Sequence, residues 1–179
     1  NNKPFKPIDL FEDIAATMSK TAHLKQLEFL YDIDEMPTYL IGDIFRLKQL
    51  ITNLISNALK FTNYGYIALR ASVLSCSENE CVISIIVEDS GIGISADDIE
   101  TIFKAFHQLD DELNRSYQGT GLGLVICQEI VYLMNGEIEV ESHPSQGSIF
   151  QSTIPFKLPE SRSEHYLSMP FTGRQAVVY

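Results

Sequence analysis

The sequence predicts a single domain of the α/β (α+β) class, in which helices and strands share one hydrophobic core. Its 179 residues, 45% of them hydrophobic, are enough to build one full core. Segments with apolar residues at helical spacing occur in the same chain as short apolar or alternating segments typical of strands. These patterns indicate an ordered globular fold over most of the chain.

The charge balance narrows the classes of ligand. The chain has 13 basic and 24 acidic residues, so its formal net charge is −11. This balance argues against a broad surface for DNA or RNA, and we expect no nucleic-acid partner. A small anionic ligand stays possible, because the field that binds it is set locally by one or two cations and backbone N–H groups.

The cysteine pattern and the hydropathy indicate a cytoplasmic fragment. Cys76, Cys81 and Cys127 have no metal-ligand spacing, and we expect free thiols, although Cys76 and Cys81 could face each other across a hairpin. No run approaches the ~18 apolar residues of a membrane span, and the first residues do not resemble a signal peptide. We expect no membrane contact by this fragment, whose parent protein could still be anchored in an inner membrane.

The first forty residues provide packing elements. Residues 1–7 contain two prolines and are expected to be extended. Asp9 and Glu12 have the spacing of a capping box, and the apolar residues that follow predict a helix to about Ala22. Residues 27–33 have the composition of a strand, and a short extended segment is expected at 39–41, after Pro37.

A long helix is predicted from Asp43 to Phe61, and its polar face is a candidate for a functional site. One face is apolar; a second stripe contains Arg46, Gln49, Asn53, Asn57 and Lys60. Such a stripe is usually a solvated helix face. Asparagine is a mediocre helix former, however, and amide oxygens can bind Mg²⁺ while a lysine can bind phosphate. A metal and phosphate face is therefore the functional alternative.

Residues 66–74 predict a strand, and a second, buried strand follows from Cys81 to Asp89. Asp89 is then followed by Gly91 and Gly93. An acidic residue at the end of a strand, with two glycines after it, allows the backbone to approach a flat ligand such as a nucleotide base. The same pattern also occurs in ordinary turns, so it does not by itself identify a nucleotide-binding site.

Glycines also open a later helix. Ser95 and Asp98 predict the start of a helix that continues to Phe106, and residues 105–120 form a polar segment that we interpret as a loop. The segment ends in Gly119-Thr120-Gly121-Leu122-Gly123, which can present backbone N–H groups to phosphate at the start of a helix ending at Gly136. Its spacing is neither the Rossmann fingerprint nor a P-loop. Strands are predicted at 137–141 and 149–156, and another begins at Ala176.

Three stretches in this order resemble the ATP-binding catalytic domain of sensor histidine kinases, within the gyrase, heat-shock chaperone, histidine kinase and mismatch-repair ATPase superfamily. They are Asn53 to Thr62, Asp89 to Gly93 and Gly119 to Leu124. Phe103 to Phe106 and Gln146 to Phe150 resemble two further motifs of that family. The resemblance spans about residues 5–158, and five motifs in order make it specific.

The resemblance implies a fold and a domain arrangement. The fold is a sandwich of three helices packed on one face of a mixed, mostly antiparallel sheet, with a flexible ATP lid. Residues 1–158 would form the ATP-binding catalytic domain. Residues 159–179 would be a linker or tail toward a following domain, such as the receiver of a hybrid kinase.

The resemblance also implies roles for particular residues. Asp89 would accept a hydrogen bond from the adenine amino group, and Asn57 would bind Mg²⁺ with Asn53 supporting the cluster. Lys60 would contact a phosphate, and Arg115 in the lid is a possible γ-phosphate contact. The remaining ATP-binding residues would be Phe61, Gly91, Gly93, Ile94, Gly119, Thr120, Gly121, Leu122 and Gly123.

The implied function is a protein-histidine kinase domain that needs ATP and Mg²⁺. The hydrolytic members of the superfamily have a glutamate general base where this chain has Asn53, and an amide cannot take that proton. The phosphoacceptor histidine would lie on a dimerisation domain of the same parent protein, because His23, His107, His143 and His165 lack its sequence context. A non-catalytic regulatory module acting by protein pairing and an ATP-hydrolysing relative are the alternatives.

Overall fold

Helices and strands are interspersed along the chain in the computed structural model, which describes residues 2–103, 122–160 and 177–178. The strands are β1 (Lys3–Phe5), β2 (Glu28–Ile33), β3 (Leu40–Gly42), β4 (Tyr66–Cys76), β5 (Glu80–Asp89), β6 (Glu137–His143), β7 (Gly147–Lys157) and β8 (Val177–Val178). The helices are α1 (Pro7–Leu24), α2 (Ile44–Phe61), α3 (Ala96–Ile99) and α4 (Gly123–Leu133).

The strands form one mixed sheet with β5 near its centre. The order is β1-β3-β7-β5-β4-β2-β8, and β6 also pairs with β7. β5 runs antiparallel to β4 and β7 over nearly its whole length, which places Asp89 opposite Ile67 and Ser148. The pair β2–β4 is the one parallel pair among the described strands. The predicted mixed, mostly antiparallel sheet is confirmed.

The helices cover one face of this sheet, and the core lies between the two layers. Alternate residues of β5 are buried against the helices: Cys81, Ile83, Ile85 and Val87. Since side chains in a strand alternate between faces, Asp89 continues this series and points toward the helical layer. The end of β5 thus places the Asp89 carboxylate at the edge of the hydrophobic core. The three longer helices α1, α2 and α4 fit the predicted sandwich, and α3 is a fourth helix of a single turn.

Two helix starts illustrate how local sequence determines the element bounds. α2 begins where predicted, because the Asp43 side chain accepts a 3.3 Å hydrogen bond from the Arg46 backbone N–H. The capping-box prediction for the first helix is wrong: α1 begins at Pro7 and Lys6 is its N-cap residue. Proline suits the first helical position, because its fixed φ is already helical and its missing N–H would have no partner there.

The remaining predicted elements agree with the structure in kind, although several bounds differ. The extended first residues include β1, which pairs with β3. Ser95 caps α3 as predicted, accepting a 3.2 Å hydrogen bond from the Asp98 N–H, but α3 ends at Ile99 and Phe106 lies outside the described residues. The strand predicted at the end of the chain corresponds to β8, which pairs with β2.

The prediction of free thiols at Cys76 and Cys81 is wrong. The two residues are opposite each other in the β4–β5 hairpin, with their Cα atoms 4.2 Å apart, and they form a disulfide. The hairpin register explains the pairing, because directly opposed residues bring their side chains within reach. Cys127 is a buried free cysteine. Within the described part of the chain, no helix is long and apolar enough to cross a membrane.

Candidate functional site

Asp89 is a buried carboxylate at the end of the central strand. The residue is 7% exposed. Its Oδ1 accepts a 2.8 Å hydrogen bond from the Gly91 backbone N–H and a 3.5 Å hydrogen bond from the Thr62 hydroxyl. Burial raises the pKa of Asp89 above its ordinary value, against the hydrogen bonds from Gly91, Thr62 and the Ser148 backbone, which lower it. The structure thus holds a fixed acceptor just below the protein surface.

The neighbouring carboxylate, Glu88, has a different environment, because it points to the other face of the sheet. It accepts a hydrogen bond from the Tyr66 hydroxyl and forms an ion pair with Arg70. Burial alone would raise the pKa of Glu88, but these two partners together hold it below its ordinary value. Of the two adjacent acids, Asp89 alone is therefore turned toward the helices.

The loop after Asp89 is fastened to two separate parts of the chain. The Ile92 N–H donates to the Phe61 carbonyl oxygen at 3.2 Å, at the end of α2. On the other side, the Ile92 carbonyl accepts a 2.7 Å hydrogen bond from the Ser145 N–H. The Ile94 N–H donates to the Ser142 hydroxyl oxygen at 2.8 Å. The loop that carries Gly91, Gly93 and Ile94 is thus clamped between α2 and the β6–β7 turn.

Gly91 is required by close approach. A Cβ atom at this position would lie 2.4 Å from the Phe61 carbonyl oxygen and 2.9 Å from the Thr62 hydroxyl oxygen. Both distances are shorter than a carbon–oxygen contact allows, so a larger residue would push the loop away from α2. The backbone of the loop therefore lies directly against the end of the helix that carries the polar stripe.

That polar stripe of α2 lies along α4. Asn53, Asn57 and Lys60 are all half-buried. A Cβ atom placed on Gly123 would lie 3.7 Å from both Nδ2 and Oδ1 of Asn57, so the start of α4 is beside this side chain. Further along α4, the buried thiol of Cys127 donates to the Leu50 carbonyl oxygen of α2 at 3.9 Å. The start of α4 thus packs against α2 beside Asn57.

Lys60 and Phe61 complete the last turn of α2. The Lys60 ammonium lies 4.8 Å from the centroid of the Phe61 ring. Burial lowers the pKa of Lys60, since a partly desolvated ammonium loses hydration. A cation in this position has a favourable contact with the ring face and is available to an anion at the same helix end.

The structure brings together most of the residues predicted for the site. Asn53, Asn57, Lys60 and Phe61 lie on α2; Asp89, Gly91, Gly93 and Ile94 follow β5; Leu122 and Gly123 begin α4. Arg115, Gly119, Thr120 and Gly121 lie outside the described residues. Two contributors had no predicted role: Thr62, which contacts Asp89, and Ser142, which anchors Ile94. Thr62 is the last residue of the Asn53 to Thr62 stretch, whereas nothing local in the sequence distinguishes Ser142.

The donor set fits a metal held mainly by a ligand's own oxygens. Among the described residues there is no group of three or more His, Cys, Asp or Glu side chains that could hold a metal ion. The amide oxygen of Asn57 is a hard oxygen donor, and Mg²⁺ is commonly bound by one or two protein oxygens together with substrate phosphates. Asn57, beside the start of α4, is where such an ion would be held.

Comparison with protein families gives a match over most of the chain. Residues 42–158 match the family described as "Histidine kinase-, DNA gyrase B-, and HSP90-like ATPase". The matched range contains α2, β4, β5, α4, β6 and β7, and thus every predicted site residue.

Several curated relatives are similar in sequence. The chain is 42% identical to the sensor protein GacS of Pseudomonas syringae pv. syringae over 181 residues, covering 99% of this chain and 20% of the relative. It is 42% identical to hybrid signal transduction histidine kinase F of Dictyostelium discoideum, covering 86% of this chain and 14% of the relative. It is 38% identical to the signal transduction histidine-protein kinase BarA of Escherichia coli strain K12, covering 82% of this chain and 16% of the relative. The chain spans no more than a fifth of the length of these relatives.

Solved structures share the fold. Full-length ShkA, crystallised in complex with AMPPNP, superposes with a TM-score of 0.74 at 31% identity, over 89% of this chain and 32% of that one. The catalytic domain of histidine kinase ThkA superposes with a TM-score of 0.68 at 25% identity, over 87% of this chain and 97% of that one.

Proposed function

The chain belongs to the family of histidine kinase-, DNA gyrase B- and HSP90-like ATPases, as an ATP-binding catalytic domain of the sensor histidine kinase type, and from that premise we propose its chemistry. It binds ATP with Mg²⁺ and transfers the γ-phosphoryl group to a histidine on a separate dimerisation domain. Its sequence relatives GacS and BarA are named as a sensor protein and a histidine-protein kinase.

One observation carries the proposal: the last turn of α2 contacts both the Asp89 loop and the start of α4. Its end, Phe61 and Thr62, contacts the Asp89 loop. Asn57, one turn earlier, contacts the start of α4 at Gly123. Since four residues of helix rise about 6 Å, a base-binding acid and a phosphate-binding helix start are held a short distance apart. A nucleotide has that layout, with a base at one end and phosphates at the other.

At the base end, Asp89 reads the adenine amino group. A carboxylate has two acceptor oxygens. The hydrogen bonds from Gly91 and Thr62 both go to Oδ1, so the carboxylate keeps acceptor capacity for the amino group. Gly91 and Gly93 let the loop that forms the base site lie against Phe61 and His143, where a Cβ atom would not fit. Phe61 and Ile94 line the base with apolar surface.

At the phosphate end, the negatively charged phosphates of the nucleotide lie against α2 and the start of α4. Asn57 holds Mg²⁺ and Asn53 supports the metal and phosphate cluster, and Lys60 contacts a phosphate. The ion, when bound, neutralises phosphate charge. Backbone N–H groups from Gly119 to Gly123 meet phosphate oxygens at the positive end of the α4 dipole. Arg115 reaches the γ-phosphate from the lid.

Transfer to a protein nucleophile is favoured over hydrolysis by the residue at position 53. A general base for water must accept a proton, and the Asn53 carboxamide cannot do so at neutral pH. What this site supplies is positioning and charge stabilisation, which suffice when the nucleophile comes from another domain.

The proposal includes the surroundings of the domain. Residues 1–158 form the catalytic domain, in the cytoplasm, and residues 159–179 lead toward a following domain. The phosphoacceptor histidine lies in the same parent protein, and the phosphoryl group then passes to a response-regulator receiver. The relative named as hybrid signal transduction histidine kinase F supports the presence of further domains in the parent protein.

Calorimetric titration of the chain with ATP tests the proposal. We expect binding at sub-millimolar ATP that strengthens with Mg²⁺. Asp89→Asn should weaken it about 10- to 100-fold, because a hydrogen bond to a charged group is lost. The matched control is Asp34→Asn, an identical change at an exposed carboxylate, which should leave affinity unchanged. Absence of Mg-dependent binding would favour a regulatory module that acts by protein pairing.

Incubation with γ-labelled ATP tests the transfer step. The chain alone should stay unlabelled and should release little phosphate, and addition of a phosphoacceptor dimerisation domain should give acid-labile label on that domain. Acid-labile phosphate on the chain itself would refute the assignment of the acceptor to a separate domain. Steady phosphate release by the chain would instead indicate an ATP-hydrolysing enzyme.

A further inference from the structure

Lys25 makes a hydrogen bond that joins the end of α1 to the end of α2. Its Nζ donates to the Leu59 carbonyl oxygen at 2.7 Å, across 34 positions of sequence. Leu59 lies in the last turn of α2, where the carbonyl groups point out of the helix and need partners beyond it. A cation at this end of a helix also interacts favourably with the helix dipole. The Lys25 ammonium therefore caps α2 from outside.

The backbone at Lys25 is fixed by the way in which α1 ends. The Gln26 N–H donates to the His23 carbonyl oxygen at 2.9 Å. The Leu27 N–H donates to the Ala22 carbonyl oxygen at 3.0 Å. Gln26 has a φ of +60°, in the left-handed region, and this residue with the two hydrogen bonds forms the Schellman type of helix end. The Lys25 side chain thus extends from a defined corner between α1 and β2.

The turn that Lys25 caps carries residues of the proposed nucleotide site. Lys60 and Phe61 directly follow Leu59 and end α2. The Phe61 carbonyl oxygen accepts a 3.2 Å hydrogen bond from the Ile92 N–H, in the loop that follows β5. Loosening of this turn would therefore move both the ammonium proposed to contact a phosphate and the attachment of the base loop.

We propose that Lys25 is a positioning residue, which caps α2 and thereby holds the last turn of that helix in the geometry that binds nucleotide. The inference rests on the proposed function and assigns a role to a residue outside the nucleotide motifs. Without the ammonium, the Leu59 carbonyl turns to water and the last turn of α2 opens more often. The nucleotide must then order this turn when it binds, which weakens its affinity.

Three variants isolate the ammonium of Lys25. Lys25→Met removes the charge and the donors but keeps a long apolar side chain, whereas Lys25→Arg keeps a charge and donors. Lys20→Met is the matched control, because it makes the same change at an exposed lysine of α1. In calorimetric titrations with ATP and Mg²⁺, Lys25→Met should weaken binding about 3- to 10-fold. Lys25→Arg should restore most of the affinity, and Lys20→Met should match the parent chain.

Amide hydrogen exchange in the unliganded chain tests the positioning directly. In the capped turn, the Thr62 N–H donates to the Ala58 carbonyl oxygen at 3.0 Å. At the other end of α2, the Leu47 N–H donates to the Asp43 carbonyl oxygen at 3.0 Å. Lys25→Met should speed exchange at Thr62 about 3- to 10-fold and leave exchange at Leu47 unchanged, because only the capped end of the helix opens.

Equal exchange at Thr62 in the parent chain and in Lys25→Met would overturn the inference even if affinity fell, because Lys25 would then act on the nucleotide itself. Faster exchange at both Thr62 and Leu47 would count equally against it, since that result indicates a general loss of stability. So would an unchanged ATP affinity in Lys25→Met. These outcomes leave the proposed function intact, whereas failure of the parent chain to bind ATP in a Mg-dependent way would refute the proposed function.

Discussion

A Cβ atom placed on Gly147 would lie 1.8 Å from the carbonyl oxygen of Asp89. The first residue of β7 is therefore packed directly against the backbone of the proposed adenine-binding acid. Gly147 also has a φ of +86°, a conformation that residues with a side chain rarely adopt. The β6–β7 turn thus closes over the end of β5 with backbone rather than with side chains.

Gly147→Ala should destabilise the protein and weaken ATP binding together. The positive φ and the clash with Asp89 should lower the free energy of unfolding by about 2 to 4 kcal/mol, measured in urea. The control is Gly123→Ala, where the nearest described atoms are 3.7 Å from the added Cβ, and stability should change by less than about 1 kcal/mol. Equal stability of Gly147→Ala and the parent chain would contradict the close packing.

Asp89→Asn should become more favourable to folding as pH rises. Burial raises the pKa of Asp89 above its ordinary value of 3.8, so the folded protein holds this proton more tightly than the unfolded chain. The resulting stabilisation is fully present below about pH 3.8 and is lost as pH rises through the folded pKa. The stability of Asp89→Asn relative to the parent chain should therefore increase from about pH 3.5 to pH 7.

Urea unfolding at several pH values measures this difference, with Asp34→Asn as the exposed control. Relative destabilisation of Asp89→Asn with rising pH would mean that the hydrogen bonds to Asp89 outweigh its burial. Measured on the same samples, ATP affinity should fall even where stability rises. A carboxamide has one acceptor oxygen, already bonded by Gly91 and Thr62, and its NH₂ group would face the adenine amino group.

Asn57→Ala should reduce the effect of Mg²⁺ on ATP binding more than the affinity for metal-free ATP. The amide oxygen is a metal ligand in the proposal, so its loss should cost about 10-fold in the Mg²⁺-dependent part of the affinity. Titrations in Mg²⁺ and in EDTA separate the Mg²⁺-dependent part of the affinity from the affinity for metal-free ATP. Ser56→Ala, at the exposed neighbouring position, is the control. An equal loss in both buffers would point to steric or packing effects instead.

Reduction of the Cys76–Cys81 disulfide should lower stability without changing ATP affinity. A bridge between residues five apart in sequence constrains a short loop, and its loss should cost about 2 kcal/mol. The bridge is at the far end of β4 from Tyr66, whose carbonyl accepts the Ser90 N–H, so it lies about 30 Å from the site. Unfolding and titration with and without a phosphine reductant measure both effects. Weaker ATP binding after reduction would contradict this separation.

Local patterns were sufficient to predict the elements that form the site. The apolar spacing from Leu47 to Ala58 predicts α2 within one residue of its observed start, and the run from Cys81 predicts β5 and the place of Asp89 at its end. These predictions succeed because one face of each element must be buried in the core. Burial requires apolar residues at the spacing of a helix or a strand, and that spacing is visible in the sequence.

Features that depend on long-range register could not be predicted in the same way. The pairing of Cys76 with Cys81 requires the hairpin register, and the role of Ser142 requires the β6–β7 turn to meet the Asp89 loop. The capping-box spacing at Asp9 predicts the wrong start for α1, because the pairing of β1 with β3 just before Pro7 is not visible in the local sequence.

The closure of the β6–β7 turn over Asp89 also has a consequence for synthesis on the ribosome. Chains are made from the N-terminus, so α2 and β5 leave the ribosome well before Gly147. Until the last hairpin arrives, the Ile92 carbonyl lacks the Ser145 N–H and the Ile94 N–H lacks the Ser142 hydroxyl. A nascent chain that stops short of β7 therefore has the whole α2 motif and Asp89 but lacks the clamped loop of the proposed base site. Under the proposed function, ATP stabilises the domain only after β6 and β7 are made.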